Sequence, residues 1–137
     1  KLGEAVANAP RNTQTLHRGI RAEGVALEEA EQIWKKGSIF DNHISSYTRL
    51  PEKAAETQFA GTGTSQANAS VIFDLQPGAR GLNIEPISGY LGEAETIISG
   101  RFEVVGTFRE TKVSLGHVGE YLHVQIRQIE SFVRTVK

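Results

Sequence analysis

The pattern of apolar and polar positions changes period along the chain, from about 3.6 residues in the first half to 2 in the last third. The clearest helical stretch is LEEAEQIWKK over residues 27–36, where Leu27, Ala30, Ile33 and Trp34 recur three to four apart on one face. Acids fall early and lysines late, as the helix dipole favours, and Gly37 follows where a helix-ending residue belongs. Trp34 is expected in the core on this face. Upstream, residues 1–12 (KLGEAVANAPRN) make at most an incomplete helix or an arm, stopped by Pro10 and Asn12. Residues 15–22 (TLHRGIRA) read as a strand anchored by Leu16 and Ile20 and interrupted by Gly19, with Arg18 on it and His17 on the opposite face. Residues 38–49 form a loop or extended piece. Pro51 then suits a first helical turn, and Ala55 and Phe59 lie four apart, which predicts a short helix over 51–60.

The polar run AGTGTSQANA predicts a mobile connection, and ASVIFDL over 69–75 a strand with Val71, Phe73 and Leu75 on one face. A long loop rich in glycine and proline covers 76–92. After it, ETIIS, RFEVVGTF, TKVSL and YLHVQIRQI alternate apolar and polar residues, the signature of successive antiparallel strands. Helices first and strands afterwards make an α+β fold: a mixed, mostly antiparallel two-sheet core with helices gathered in the N-terminal half.

The 137 residues suit one domain with one core, 1–137. A net charge of -1 lacks the basic excess that neutralises a phosphate backbone, so the expected partner is a protein or small molecule and not nucleic acid. The chain has no Cys, which removes disulfides, thiol nucleophiles and Cys-type zinc sites. No apolar run approaches the roughly 18 to 20 residues of a bilayer span, no signal-peptide pattern opens the chain, and a soluble monomer is expected. A first residue of Lys1 and the absence of Met suggest an excised piece of a longer protein.

The chemistry centres on Gly92-Glu93-Ala94-Glu95 at the mouth of a strand. Residues two apart on a strand share a face, which sets the two carboxylates about 7 Å apart along the backbone. Taken alone, that is also what a solvated strand edge looks like. Two further segments accompany it, Leu16-His17-Arg18-Gly19 and Ser46-Tyr47-Thr48. In that order the three resemble the motifs of the Arg-Ser-Glu mono-ADP-ribosyltransferases. The flanks are similar too: 40–48 resembles the segment leading into the Ser motif, Ala54, Ala55, Phe59 and Ala60 the short helix after it, and 95–104 the Glu strand with the Phe-x-Val strand behind it. The resemblance spans roughly 16–105. Tyr47 and Thr48 depart from the usual Thr and Ser, and Ser45 competes with Ser46 as the motif serine.

The resemblance implies an NAD-dependent glycosyltransferase with NAD as co-substrate and no metal. Glu95 would stabilise the oxocarbenium-like transition state through the ribose 2′-hydroxyl. Arg18, with its fork of donors, would hold the pyrophosphate or adjoining ribose, where a structural ion pair is the competing role. Gly19 would let the backbone reach the nicotinamide amide, Ser46 would bond Glu95 or the ribose, and Thr48 would supply the other hydroxyl. Phe40 either stacks on nicotinamide or packs the core. Glu93 would engage the acceptor, arginine being favoured, and Tyr90 either touches the target protein or covers the core edge. The histidines show no metal-ligand spacing and take surface or core roles, and Gly61-Thr62-Gly63-Thr64-Ser65 lacks the Lys of a phosphate loop.

The function implied is ADP-ribosylation of a protein in a host or competitor cell by a secreted or delivered toxin or effector domain, with an immunity or carrier protein as a further partner. The rivals are an NAD glycohydrolase at the same site and a binding module that kept the scaffold and lost the chemistry.

Overall fold

The computed structural model describes residues 14–49, 64, 68–83, 95–114 and 117–131. The predicted helix over 51–60, the N-terminal arm and most of the two long loops lie outside the described residues. Among those described there is one helix, α1 (Leu27–Ile33). It begins at the predicted position and buries Leu27 and Ala30, but it stops three residues early. Trp34 caps it, and Gly37, at φ 92°, turns the chain afterwards. Ile33 is therefore 52 % exposed and not part of the buried face, whereas Trp34 meets Phe73 edge-on at 5.4 Å.

The strands are β1 (Leu16–Glu23), β2 (Ile39–Thr48), β3 (Asn68–Leu75), β4 (Gly81–Asn83), β5 (Glu95–Ser114) and β6 (His117–Ser131). Their pairing is mixed and mostly antiparallel, as the alternation implied: only β3 and β6 run parallel. The expected two-sheet core needs restating; of the expected N-terminal helices, α1 is present and the others lie outside the described residues. The described strands join in one six-stranded sheet, ordered β2-β1-β3-β6-β5-β4, and a further β2–β5 pairing bends it back on itself. The N-terminal half contributes β1 and β2 to this sheet besides its single described helix.

The inner side of the bent sheet holds the core. Opposed residues of an antiparallel pair share a face, so Leu16↔Leu75, Ile20↔Val71 and Ala22↔Ala69 point the same way. They join Leu122, Val124 and Ile126 of β6, Ile98, Phe102 and Val104 of β5, Tyr47 of β2, and Leu27 and Ala30 of α1. Phe73 is the hub, with Trp34 on one side and Phe40 at 5.6 Å on another. The burial of Ser70 and Ile72 as well shows that β3 is covered on both faces, the environment of a central strand.

Two segments behave differently from their sequence pattern. The pieces ETIIS, RFEVVGTF and TKVSL are one continuous strand, β5, whose register against β6 shifts between Arg101 and Phe102 and again between Val104 and Gly106. Bulges bend the strand without ending it. Gly100 permits the tightest approach: a Cβ there would sit 2.1 Å from the Glu130 carbonyl oxygen. The second segment, 38–49, is mostly β2, which pairs with β5 along one edge while β4 and then β6 occupy the other.

Candidate functional site

The three motif segments meet where the sheet closes. β1 and β2 touch through one register pair, His17↔Thr48, and Thr48 is in turn opposite Glu95 of β5. Neighbouring strands lie about 5 Å apart, so these three backbones fall within about 10 Å. Ser46 is opposite Ile97 and Ser45 opposite Ile98. The side chains of Ser45, Ser46 and Glu95, and all of Glu93 and Tyr90, lie outside the described residues.

Arg18 follows His17 and shares the inner face with its register partner Phe73. It is half-buried, and among the described residues its guanidinium has neither carboxylate partner nor hydrogen bond. Its neighbours in kind differ: Arg101 pairs with Asp41, Arg109 with Glu31 and Arg127 with Glu103. The structural ion pair that competed with an anion-binding role is thus not found among the described residues. Tyr47, 2 % exposed, lies in reach of the Arg18 charge. Burial pushes its phenol up to about 12, against the opposing pull of Arg18 and of a hydrogen bond from Asn42. Tyr47 is neutral and holds its proton at any physiological pH.

Gly19 is buried on β1 opposite Ile72. Thr48 is half-buried. Phe40 is half-buried between Phe73 and Phe102, with ring centroids 5.6 and 5.7 Å away, the packing role that the sequence left beside nicotinamide stacking. No group arranged to hold a metal ion occurs among the described residues.

The other side of the sheet carries a cluster that the sequence did not reveal. His17 Nδ1 lies 2.7 Å from Asp74 Oδ1, and His123 Nδ1 lies 2.7 Å from Asp74 Oδ2. His123 Nε2 is 2.8 Å from Glu110 Oε1, and Phe108 stacks on its ring at 4.5 Å. A ring nitrogen facing a carboxylate at this distance must carry a proton, and His123 faces one with each nitrogen. With Asp74 and Glu110 both ionised, this is the geometry of an imidazolium. Burial opposes that charge, but Asp74 and Glu110 outweigh it and hold the group above its usual value. Asp74 is likewise penalised by burial, yet the two imidazoles hold it below the ordinary carboxylate range. One signal was available in the sequence: an acid between Phe73 and Leu75, in an otherwise apolar strand, needs a partner.

No family model matches the chain, and no curated protein sequence does. Solved structures do. The enzymatic component C2-I of the Clostridium botulinum C2 toxin superposes with a TM-score of 0.66 at 19% identity over 95% of this chain and 34% of its own. The ADP-ribosylating toxin BECa of C. perfringens, solved with NADH, gives 0.62 at 15% identity over 93% and 33%. Vis, an ADP-ribosyltransferase toxin from Vibrio splendidus, gives 0.54 at 18% identity over 96% and 56%. The chain thus spans about a third of the clostridial proteins and just over half of Vis. This bent, mostly antiparallel sheet is the fold of the ADP-ribosyltransferase toxins.

Proposed function

We propose that the domain is a mono-ADP-ribosyltransferase that moves ADP-ribose from NAD to a side chain, arginine favoured, of a protein in a cell into which the domain is delivered. The observation that carries the reading is Arg18, a half-buried guanidinium with no carboxylate partner among the described residues, on a strand next to the Thr48 and Glu95 backbones. A half-buried guanidinium is stabilised by an anion placed against it, which the pyrophosphate would supply. The pyrophosphate and the reacting ribose adjoin one another in NAD, on the scale of the roughly 10 Å between β1 and β5.

In this reading Arg18 holds the pyrophosphate bidentately and Gly19 leaves room for the nicotinamide amide. As the bond from ribose C1′ to nicotinamide breaks, the leaving base takes the electron pair and positive charge spreads over the ribose ring. Glu95 stabilises that charge and bonds the 2′-hydroxyl, with Ser46 and Thr48 supplying hydroxyls beside it. The acceptor nitrogen then bonds to C1′ and releases its proton to Glu93. Tyr90 contacts the target protein. An immunity or carrier protein would accompany the domain before delivery.

The test is incubation of the domain with labelled NAD and bacterial or eukaryotic lysate, beside a folded Glu95→Ala variant. A labelled protein band present with the wild type and lost in the variant supports the transferase. Nicotinamide release without any band identifies a glycohydrolase, and untouched NAD identifies a scaffold without chemistry.

A further inference from the structure

Along β2, Phe40 packs against the core and Tyr47 is buried in it, although the two lie seven positions apart, an odd offset. An unbroken strand would send them to opposite faces. The register explains how both point inward. Asn42 is opposite Gly100 and Ser45 opposite Ile98, three steps on β2 against two on β5, so one extra residue sits in the strand. A side-chain bond spans that bulge: Asn42 Nδ2 donates to Tyr47 Oη at 3.2 Å. On the other strand, Gly100 lies so close to β6 that a Cβ there would meet the Glu130 carbonyl oxygen at 2.1 Å.

Without the bulge, counting on from Asn42↔Gly100 would put Ser46 opposite Thr96 and Tyr47 opposite Glu95. With it, Thr48 takes the place beside Glu95 and Ser46 sits opposite Ile97. The choice of hydroxyl presented beside the carboxylate strand is thereby made at Asn42 and Tyr47. We infer that Asn42 and Tyr47 form a clasp that fixes the register of Ser45-Ser46-Tyr47-Thr48 against Glu95, which makes Tyr47 a positioning residue. The clasp is a property of the strand; its catalytic consequence rests on the transferase reading above. Tyr47 does not touch the reacting atoms. It holds its proton and its place, and the neighbouring residues inherit their register from it.

Two variants of the whole domain separate the clasp from simple packing. Tyr47→Phe keeps the buried ring and removes the acceptor; Asn42→Ala removes the donor. Amide hydrogen exchange at Ser45–Thr48 should quicken by about ten-fold or more in each variant while β3 amides keep their wild-type rates, and the double variant should exchange no faster than the singles. With NAD as substrate, kcat should fall by about ten-fold while KM stays within about two-fold, because Arg18 remains in place on β1. Unchanged exchange at 45–48, equal quickening in β3, or additive singles would each overturn the clasp. A loosened register with kcat intact would overturn the positioning role. Should the wild type consume no NAD, the transferase reading falls, while the exchange pattern still decides whether the clasp exists.

Discussion

Replacing His123 with Gln tests the charged cluster behind the candidate site, and the sign of its pH dependence follows from the geometry. His123 is 8 % exposed and Asp74 12 %, so the hydrogen bond between them is largely shielded from water. A hydrogen bond to a charged group contributes about 1.5–3 kcal/mol, and orphaning one member of a buried pair costs about 3–5 kcal/mol. Asp74 retains His17, and Glu110, with a side chain 38 % exposed, recovers water. The lower range therefore applies, and His123→Gln should cost about 2–3 kcal/mol at pH 6. Because the folded-state value of His123 is raised, its stabilisation is fully present below the unfolded value of about 6.5 and is lost as pH rises through the folded one. Asp74 acts in the opposite sense: its value is lowered, so its contribution is present above about 3.8 and is lost as pH falls through the folded one. The wild type should thus be most stable, relative to the variant, between these limits. Urea unfolding of both proteins from pH 4 to 9 measures the difference. A gap that stays constant or widens above pH 7 would refute a doubly protonated His123, as would nitrogen NMR shifts showing a neutral ring at pH 6.

Two further substitutions probe the scaffold and the site. Gly100→Ala forces a Cβ to within 2.1 Å of the Glu130 carbonyl oxygen, a backbone atom that cannot rotate away. It should destabilise the domain by about 2–3 kcal/mol or more, read as a lower urea midpoint with an unchanged slope; a neutral effect would show that the β5–β6 approach is looser than described. Arg18→Lys should leave the melting temperature within about 2 °C of wild type, since no ion pair among the described residues is lost, yet reduce NAD consumption by about 100-fold through loss of the bidentate fork. A large stability loss with activity retained would return Arg18 to a structural role.

The features readable from the chain were those set by near neighbours. Leu27 and Ala30 recur at helical spacing, with Glu28 and Glu29 in the first turn, so α1 begins where the pattern says. Its end falls before the apolar period does: Ile33 and Trp34 continue that period, but the chain turns at Gly37. Phe73 and Leu75 identified β3, and Arg18, Thr48 and Glu95 were put on segments that the fold does bring to one end of the sheet. The partners of Asp74 are not legible locally, because His17 lies 57 residues away and His123 49.

Sequence by itself determined the local periods, the single strong helix, the strand-rich last third and the residue types available for chemistry. Tertiary structure alone decided the merger of three apparent strands into β5, the parallel β3–β6 pairing, the closure of the sheet through β2 and the extra residue that turns both Phe40 and Tyr47 inward. The division has a physical cause. Helical and strand periods record where each side chain points relative to residues two to four away, which the local backbone fixes. Pairing and register are instead settled by burying one continuous core against the entropy of closing long loops, a balance to which distant residues such as Gly100 and Glu130 contribute and which no short stretch of the chain contains.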